Sequence, residues 1–205
     1  MTQQPPDNSS QRTLAHYELT AESFWQATHD HDVSQNITAF LDALPADSGL
    51  QLLDFGCGPG RDLLTFKQAG HLATGLDGCA SFCQMARERT GCRVWQQDFL
   101  QLELPTEQFH GIYANASLFH VPGKWLPKVL GQLRAALKPK GILFSSNPRG
   151  DREEWRGERY GNFMELEPYS KQLQQAGFKL LHHYYRPAGK PREEQPWLAV
   201  VSCVK

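Results

Sequence analysis

The stretch Asp54-Phe55-Gly56-Cys57-Gly58-Pro59-Gly60 holds the most chemistry in this chain. Three glycines in one short turn let main chain approach a ligand closely and let a helix start sharply. The turn follows Leu50-Gln51-Leu52-Leu53, an apolar run that reads as a buried strand. Two further predicted strands end in acids. The run from His71 to Leu76 ends at Asp77-Gly78, and the run from Cys92 to Gln97 ends at Asp98-Phe99. A carboxylate at Asp77 can accept both hydroxyls of a ribose. One at Asp98 can take an amine hydrogen beside the aromatic wall of Phe99. A fourth strand, Phe109 to Ala114, runs into Asn115-Ala116-Ser117. Ligands of open α/β sheets sit beyond the carboxyl ends of the strands. Together these parts predict a pocket for an adenosine-bearing cofactor. The plainer alternatives are a helix cap at Asp77, surface polarity at Asp98 and a small spacer at Cys57.

The elements that must carry these residues alternate. Leu14 to Leu44 has helical spacing, with Ile37, Phe40, Leu41 and Leu44 on one face, Ser34 as N-cap and Pro45 as the stop. Helices are predicted over 61–69, 79–89 and 124–137, the last with Leu126, Val129, Leu130, Leu133 and Leu137 in one stripe. A fifth strand covers 141–146. Residues 149–160 hold four Arg and four acids, which reads as a charged surface loop. A helix over 168–176 precedes two strands, 178–185 and 197–204, that can pair antiparallel. Strands alternating with helices imply an α/β fold with a mostly parallel sheet, covered by helices on both faces. Residues 1–12 are expected to be a disordered tail and 13–205 one domain. Within it, 13–45 form lid helices, 46–146 the cofactor core and 147–205 the substrate side.

The glycine turn also distinguishes between cofactors. A dinucleotide fingerprint places its third glycine where Arg61 stands. Gly56-x-Gly58-x-Gly60, led by Asp54 and Phe55, instead resembles motif I of the class I S-adenosylmethionine-dependent methyltransferases. Asp77 stands where that family has its ribose-binding acid, and Asp98-Phe99 resembles its adenine-edge motif. Lys138-Pro139-Lys140-Gly141 resembles its Leu-Lys-Pro-Gly-Gly turn, with Lys140 in place of a glycine. The resemblance covers residues 50–146. It implies a Rossmann-like seven-stranded sheet with the last strand antiparallel, and S-adenosylmethionine as cofactor. The cofactor residues would be Asp54, Gly56, Cys57, Gly58, Gly60, Arg61, Asp77, Gly78, Asp98, Phe99 and Asn115. It also implies a lid, because Tyr17 to Trp25 resembles the N-terminal segment of small-molecule methyltransferases, where an aromatic ring lies near the sulfonium.

On that basis the acceptor is expected to be a small polar metabolite, attacked at N, O or S. Tyr17, His31 and His120 are the candidate catalytic groups, with packing as the alternative for His120. Trp25, Ser117, Asn147, Arg149 and Tyr160 are the candidate substrate contacts. Arg149, Arg152, Arg156 or Arg186 could bind a carboxylate or phosphate bidentately, or simply balance the acids nearby. His29-Asp30-His31-Asp32 has the look of a metal box but lacks a partner cluster, so no metal is expected. The other readings of such a fold are a non-catalytic cofactor-binding module and, less well supported, a nicotinamide dehydrogenase.

Composition narrows the field. The 205 residues include 11 Phe, 5 Trp and 6 Tyr, enough to build a core, which excludes wholesale disorder. A net charge of −1 argues against a nucleic-acid partner. No apolar run is long enough to span a membrane. Five cysteines, Cys57, Cys79, Cys83, Cys92 and Cys203, make no disulfide framework. With no secretory signal visible, a cytoplasmic monomer or homodimer is expected.

Overall fold

Alternate residues of the first strand, β1 (Gln51–Phe55), face different cores. Leu53 and Phe55 join one cluster and Leu52 the other. Such a strand is covered on both faces. The computed structural model, which describes residues 8–205, builds its sheet around β1. The remaining strands are β2 (Leu72–Asp77), β3 (Arg93–Gln96), β4 (Phe109–Asn115), β5 (Leu137–Pro148), β6 (Glu153–Arg156), β7 (Arg159–Asn162), β8 (Phe178–Arg186) and β9 (Trp197–Val204). Seven of them form one sheet in the order β3-β2-β1-β4-β5-β9-β8. All pairings are parallel except those of β9, which runs antiparallel to both β5 and β8. This is the Rossmann-like sheet that the sequence implies. The strand order reverses between β1 and β4, where a ligand crevice opens in folds of this kind.

Helices cover both faces. On one, α5 (Leu126–Ala136) buries Leu126, Val129, Leu130 and Leu133, and α6 (Leu166–Gln175) adds Tyr169 and Leu173. On the other, α2 (Ser34–Leu41) and α3 (Arg61–Gln68) bury Phe40 and Phe66 against Tyr113 and Phe144. There α4 (Ala80–Thr90) packs Cys83 and Ala86 against Leu63 and Val94. The first helix, α1 (Ser9–Thr28), lies over the carboxyl ends of the strands, with Ala21 among Cys79 and Phe82.

Several expectations need correction. Residues 9–12, expected in a disordered tail, are helical, because α1 begins at Ser9; residues 1–7 of that expected tail lie outside the described residues. The helical run from Leu14 to Leu44 is two helices, broken between His29 and Val33. Ser34 is the first helical residue of the second, not its cap, and its N–H donates to Asp32 Oδ1 at 2.9 Å. The charged segment 149–160 is not a plain loop. It contains most of a hairpin, β6 paired antiparallel with β7, because Trp155 and Tyr160 pack across the two strands. Its charge balance hid the alternation.

Phe40 sets the fit of α2 on the sheet. Its buried ring meets Phe66, Tyr113 and Phe144 at centroid distances of 5.4, 5.3 and 6.4 Å. Gly111 of β4 lies directly beneath, where a Cβ would stand 2.7 Å from Phe40 Cζ. Phe40→Ala is expected to cost about 3–5 kcal/mol of stability, read by urea unfolding, with the secondary structure otherwise retained. A loss below ~1 kcal/mol would show that α2 is not held by this ring.

Candidate active site

The chain leaves β1 through Gly56 (φ +78°) and Gly58 (φ +52°), both in the left-handed region that glycine adopts most readily. A Cβ on Gly56 would lie 2.3 Å from Ser117 Cβ, so the turn packs tightly on the end of β4. A Cβ on Gly58 would meet only Phe24 Cε1, at 3.9 Å, so the space before Gly58 is open. Gly60 starts α3, and its bare Cα lets α4 approach at Ala86. The main-chain N–H groups of Gly56 and Cys57 donate to Leu76 O at 2.7 and 3.0 Å. Asp77 then closes the turn. Its Oδ2 accepts from Gly58 N at 3.0 Å and its Oδ1 from Cys79 N at 2.9 Å. Burial pushes the Asp77 carboxyl up to about 6, while the N–H groups of Cys79, Gly58 and Gly78 favour its ionised form.

Two cavities meet at this turn. The smaller, with about 640 Å³ of empty space, is lined by Gly56, Gly58, Asp77, Gly78, Phe99 and Ser117 from the sheet end, and by Thr13, Leu14 and Tyr17 from α1. His120 closes it, on a short 3₁₀ turn (Leu118–His120) after β4. The larger, about 1510 Å³, holds Trp25, His31, Cys57, Arg61, Asn115, Arg159 and Arg186. Tyr17, Phe24, Gly56, Gly58 and Ala116 border both.

His120 is tightly held. Its Nδ1 lies 2.7 Å from Tyr160 O, and a carbonyl can only accept, so Nδ1 carries the proton. Its Nε2, 2.9 Å from Tyr17 Oη, therefore accepts from the Tyr17 hydroxyl. Burial, with Arg159 nearby, pushes His120 down to about 3. The Tyr17 hydroxyl is shifted up, mainly by burial, with the Arg159 guanidinium acting against it.

Beside the turn lies a part-buried polar chain. Arg61 pairs with Asp62 through Nε (2.7 Å) and Nη2 (3.1 Å), and its Nη1 donates to Thr28 O at 2.9 Å. Asn115 Nδ2 donates to Asp62 Oδ2 at 3.2 Å, and Asn36 Nδ2 donates to Asn115 Oδ1 at 2.9 Å. The Tyr184 hydroxyl completes it at Asn36 Oδ1, 2.8 Å away. Asp54 lies deeper and lines neither cavity. Burial, then the charge of Asp62, raise its carboxyl well above the usual range, and its Oδ2 has no hydrogen-bond partner.

Other predicted residues either sit apart from the cavities or are engaged by the fold at their walls. Asp98 turns its Oδ1 onto Leu100 N at 2.9 Å, leaving Phe99, stacked on Phe55 at 4.3 Å, as the wall. Asn147 is fully buried and borders neither cavity. Tyr160 offers main chain to His120 while its ring packs on Trp155. Arg149 is locked into Glu165 Oε1 at 3.2 Å and the carbonyls of Arg192 and Gln195. Arg152 and Arg156 pair with Glu154. Of those four arginines only Arg186 borders a cavity, together with Arg159, which the sequence reading missed. The face of Trp25 is covered by the Arg89 guanidinium at 4.0 Å, so Phe24 and Tyr17 are the rings at the boundary of the cavities. Ser117 is spent on Phe55 O at 2.6 Å. Burial raises the Cys57 thiol well above its ordinary value, which suits a spacer. In the His29–Asp32 box, His29 and Asp32 instead hold the chain between α1 and α2. Among the described residues no group of three or more His, Cys, Asp or Glu could hold a metal ion. No helix there is long and apolar enough to cross a membrane.

Known proteins resemble this chain in sequence and in fold. Residues 52–141 match the family model described as a methyltransferase domain. The malonyl-[acyl-carrier protein] O-methyltransferase of Pectobacterium atrosepticum is 35% identical over 107 residues, covering 50% of this chain and 40% of that protein. The trans-aconitate 2-methyltransferase of Paracidovorax citrulli is 34% identical over 121 residues, covering 55% and 44%. The chain thus spans less than half the length of either relative. The fold matches that of the Burkholderia thailandensis 1,6-didemethyltoxoflavin-N1-methyltransferase, solved with 1,6-didemethyltoxoflavin and S-adenosylhomocysteine. The TM-score is 0.79 at 19% identity, over 100% of this chain and 93% of that one. The glycine turn and the acid of β2 both fall within the matched segment, which takes in 90 of the 205 residues.

Proposed function

We propose that this protein transfers the methyl group of S-adenosylmethionine to a small polar metabolite, at a nitrogen, oxygen or sulfur atom. One observation carries the reading: an open glycine turn and the ionisable Asp77 line a cavity that shares a wall with a second, larger one. Two abutting cavities suit a donor and an acceptor held end to end.

Asp77 holds the ribose, Phe99 and Leu100 flank the adenine, and Gly56 and Gly58 bring main chain against the donor. Arg61, Asp62 and Asn115 stand at the larger cavity, within reach of its amino-acid end. When bound, the cofactor supplies a methyl group already activated by a positive sulfur. The protein's work is then alignment and exclusion of water. Tyr17 and Phe24, at the wall between the cavities, offer ring faces to a cation. His120 fixes the Tyr17 hydroxyl and is a positioning residue, because both its nitrogens are engaged. His31, which lines the larger cavity, is the base where an acceptor must lose a proton.

Titration calorimetry tests the cofactor assignment. S-adenosylhomocysteine should bind in the micromolar range, and Asp77→Ala should weaken it at least about tenfold. The ribose needs the carboxylate form, and in the free protein Asp77 titrates at about 6. Affinity should therefore fall as pH drops below that value. Binding indifferent to Asp77→Ala would sink the reading, as would the lack of methyl transfer to any of a broad metabolite panel.

His120 gives an independent check on the positioning role. It titrates at about 3 in the folded chain against a reference value of 6.5. The unfolded chain takes up this proton first as pH falls, so the contribution of His120 to stability is lost from about pH 6.5 down to about 3. Its imidazole NMR signals should stay constant between pH 8 and 5. An inflection near 6.5 would show a ring free to act as a base.

A further inference from the structure

The larger cavity carries more positive charge than the donor requires. Arg61 and Asp62, ion-paired at 2.7 Å beside the glycine turn, offer one charge of each sign to a zwitterionic amino-acid end. The same cavity is bordered by Arg159, from β7, and Arg186, from the end of β8. Arg186 gives one N–H to Asp32 O at 2.8 Å, and a guanidinium has five. Arg159 lies beside the Tyr17 hydroxyl and has no ion pair among the described residues. The acids that border the cavity are Asp62, matched by Arg61, and Asp32, which turns its Oδ1 onto Ser34 N. Three guanidinium groups facing two carboxylates leave one positive charge, the complement of a carboxylate and half that of a phosphate dianion.

Ser146 points the same way independently. It sits near the end of β5, is fully buried and borders this cavity, and its hydroxyl has no hydrogen-bond partner. A buried polar group left unpaired is costly, and a ligand oxygen would relieve that cost. Trp25, Pro187 and Trp197 supply apolar wall around these polar groups.

We infer that the methyl acceptor carries a carboxylate, held in the larger cavity by Arg159 and Arg186 with the Ser146 hydroxyl as a further donor. The inference rests on the methyltransferase reading above. Planar guanidinium groups match the two oxygens of a carboxylate. The carboxylate anchors the acceptor, and the attacked atom lies nearer Tyr17 and Phe24, at the wall shared with the donor.

The test is calorimetry on the full chain, first with S-adenosylhomocysteine and then at its saturation. The acceptor probes are benzoate, succinate and citrate, with benzamide and succinamide as neutral counterparts and phenyl phosphate as the rival anion. At least one acid should bind the saturated protein, and benzoate or succinate should outbind its amide at least about tenfold. Arg159→Gln and Arg186→Gln should each weaken the acid about tenfold while S-adenosylhomocysteine affinity stays within about threefold. Ser146→Ala should give a smaller loss. Equal binding of acid and amide, no binding by any acid, or a clear preference for phenyl phosphate overturns the proposal; these arms use the unaltered chain and do not depend on a variant folding. An equal loss of S-adenosylhomocysteine affinity in Arg159→Gln also overturns it, since that guanidinium would then hold the donor's own carboxylate. Failure of S-adenosylhomocysteine to bind the unaltered chain strikes the methyltransferase reading itself, and is visible before any acid is added.

Discussion

The Asp77 carboxylate, at the tip of β2, ties the ligand end of the sheet together. One oxygen holds Gly58, in the turn after β1, and the other holds Cys79, where α4 begins. Two neighbouring strand ends and one helix start are thereby fixed to a single buried group. Burying a carboxylate is costly unless it is compensated, and here main-chain N–H groups supply the compensation. The upward shift of its pKa shows that burial still outweighs those N–H groups. A ligand hydroxyl that shares this carboxylate would enter a site already shaped by the fold.

The floor of that site is made of strand ends, and its roof is a single helix. Three separate parts of the molecule grip α1. Glu18 accepts from the start of α4, with Ser81 N at 3.1 Å and Ser81 Oγ at 2.6 Å. An acid there also meets the positive end of the helix dipole. Tyr160 N of the hairpin donates to Thr13 Oγ1 at 3.0 Å, and Arg61 Nη1 donates to Thr28 O at the helix end. Tyr17 and Phe24, at the boundary of both cavities, therefore stand where α3, α4 and β7 together place them. The roof and the polar chain from Tyr184 to Arg61 share the Arg61 side chain, so the edge strand β8 is linked to α1 through part-buried hydrogen bonds.

Much of this was legible in the sequence where the signal is local. Asp54 to Gly60 announced a turn at a strand end, and the change of period from helix to strand placed β1, β2, β4 and β9 to within a residue or two. The stripe of leucines announced α5. The start of α2 was marked to within a residue by Ser34, but the end of α1 was not legible, because residues on both sides keep a compatible spacing and no proline intervenes. The hairpin of β6 and β7 was hidden for another reason. Its alternation is carried by Trp155 and Tyr160 among charges, and hairpin stability comes from the partner strand.

What the sequence determined by itself was the class of fold, the order of its elements and the acids and glycines at the strand ends. These depend on periodicity and on residues near one another in the chain. Only the tertiary structure decided which charges face the cavities. Arg149 and Arg159 come from the same charged segment, yet one is consumed by Glu165 and two carbonyls while the other borders the larger cavity. Nothing local separates them. The choice is made by contacts distant in sequence, where β7 meets α1 and where the end of β5 meets the loop before β9.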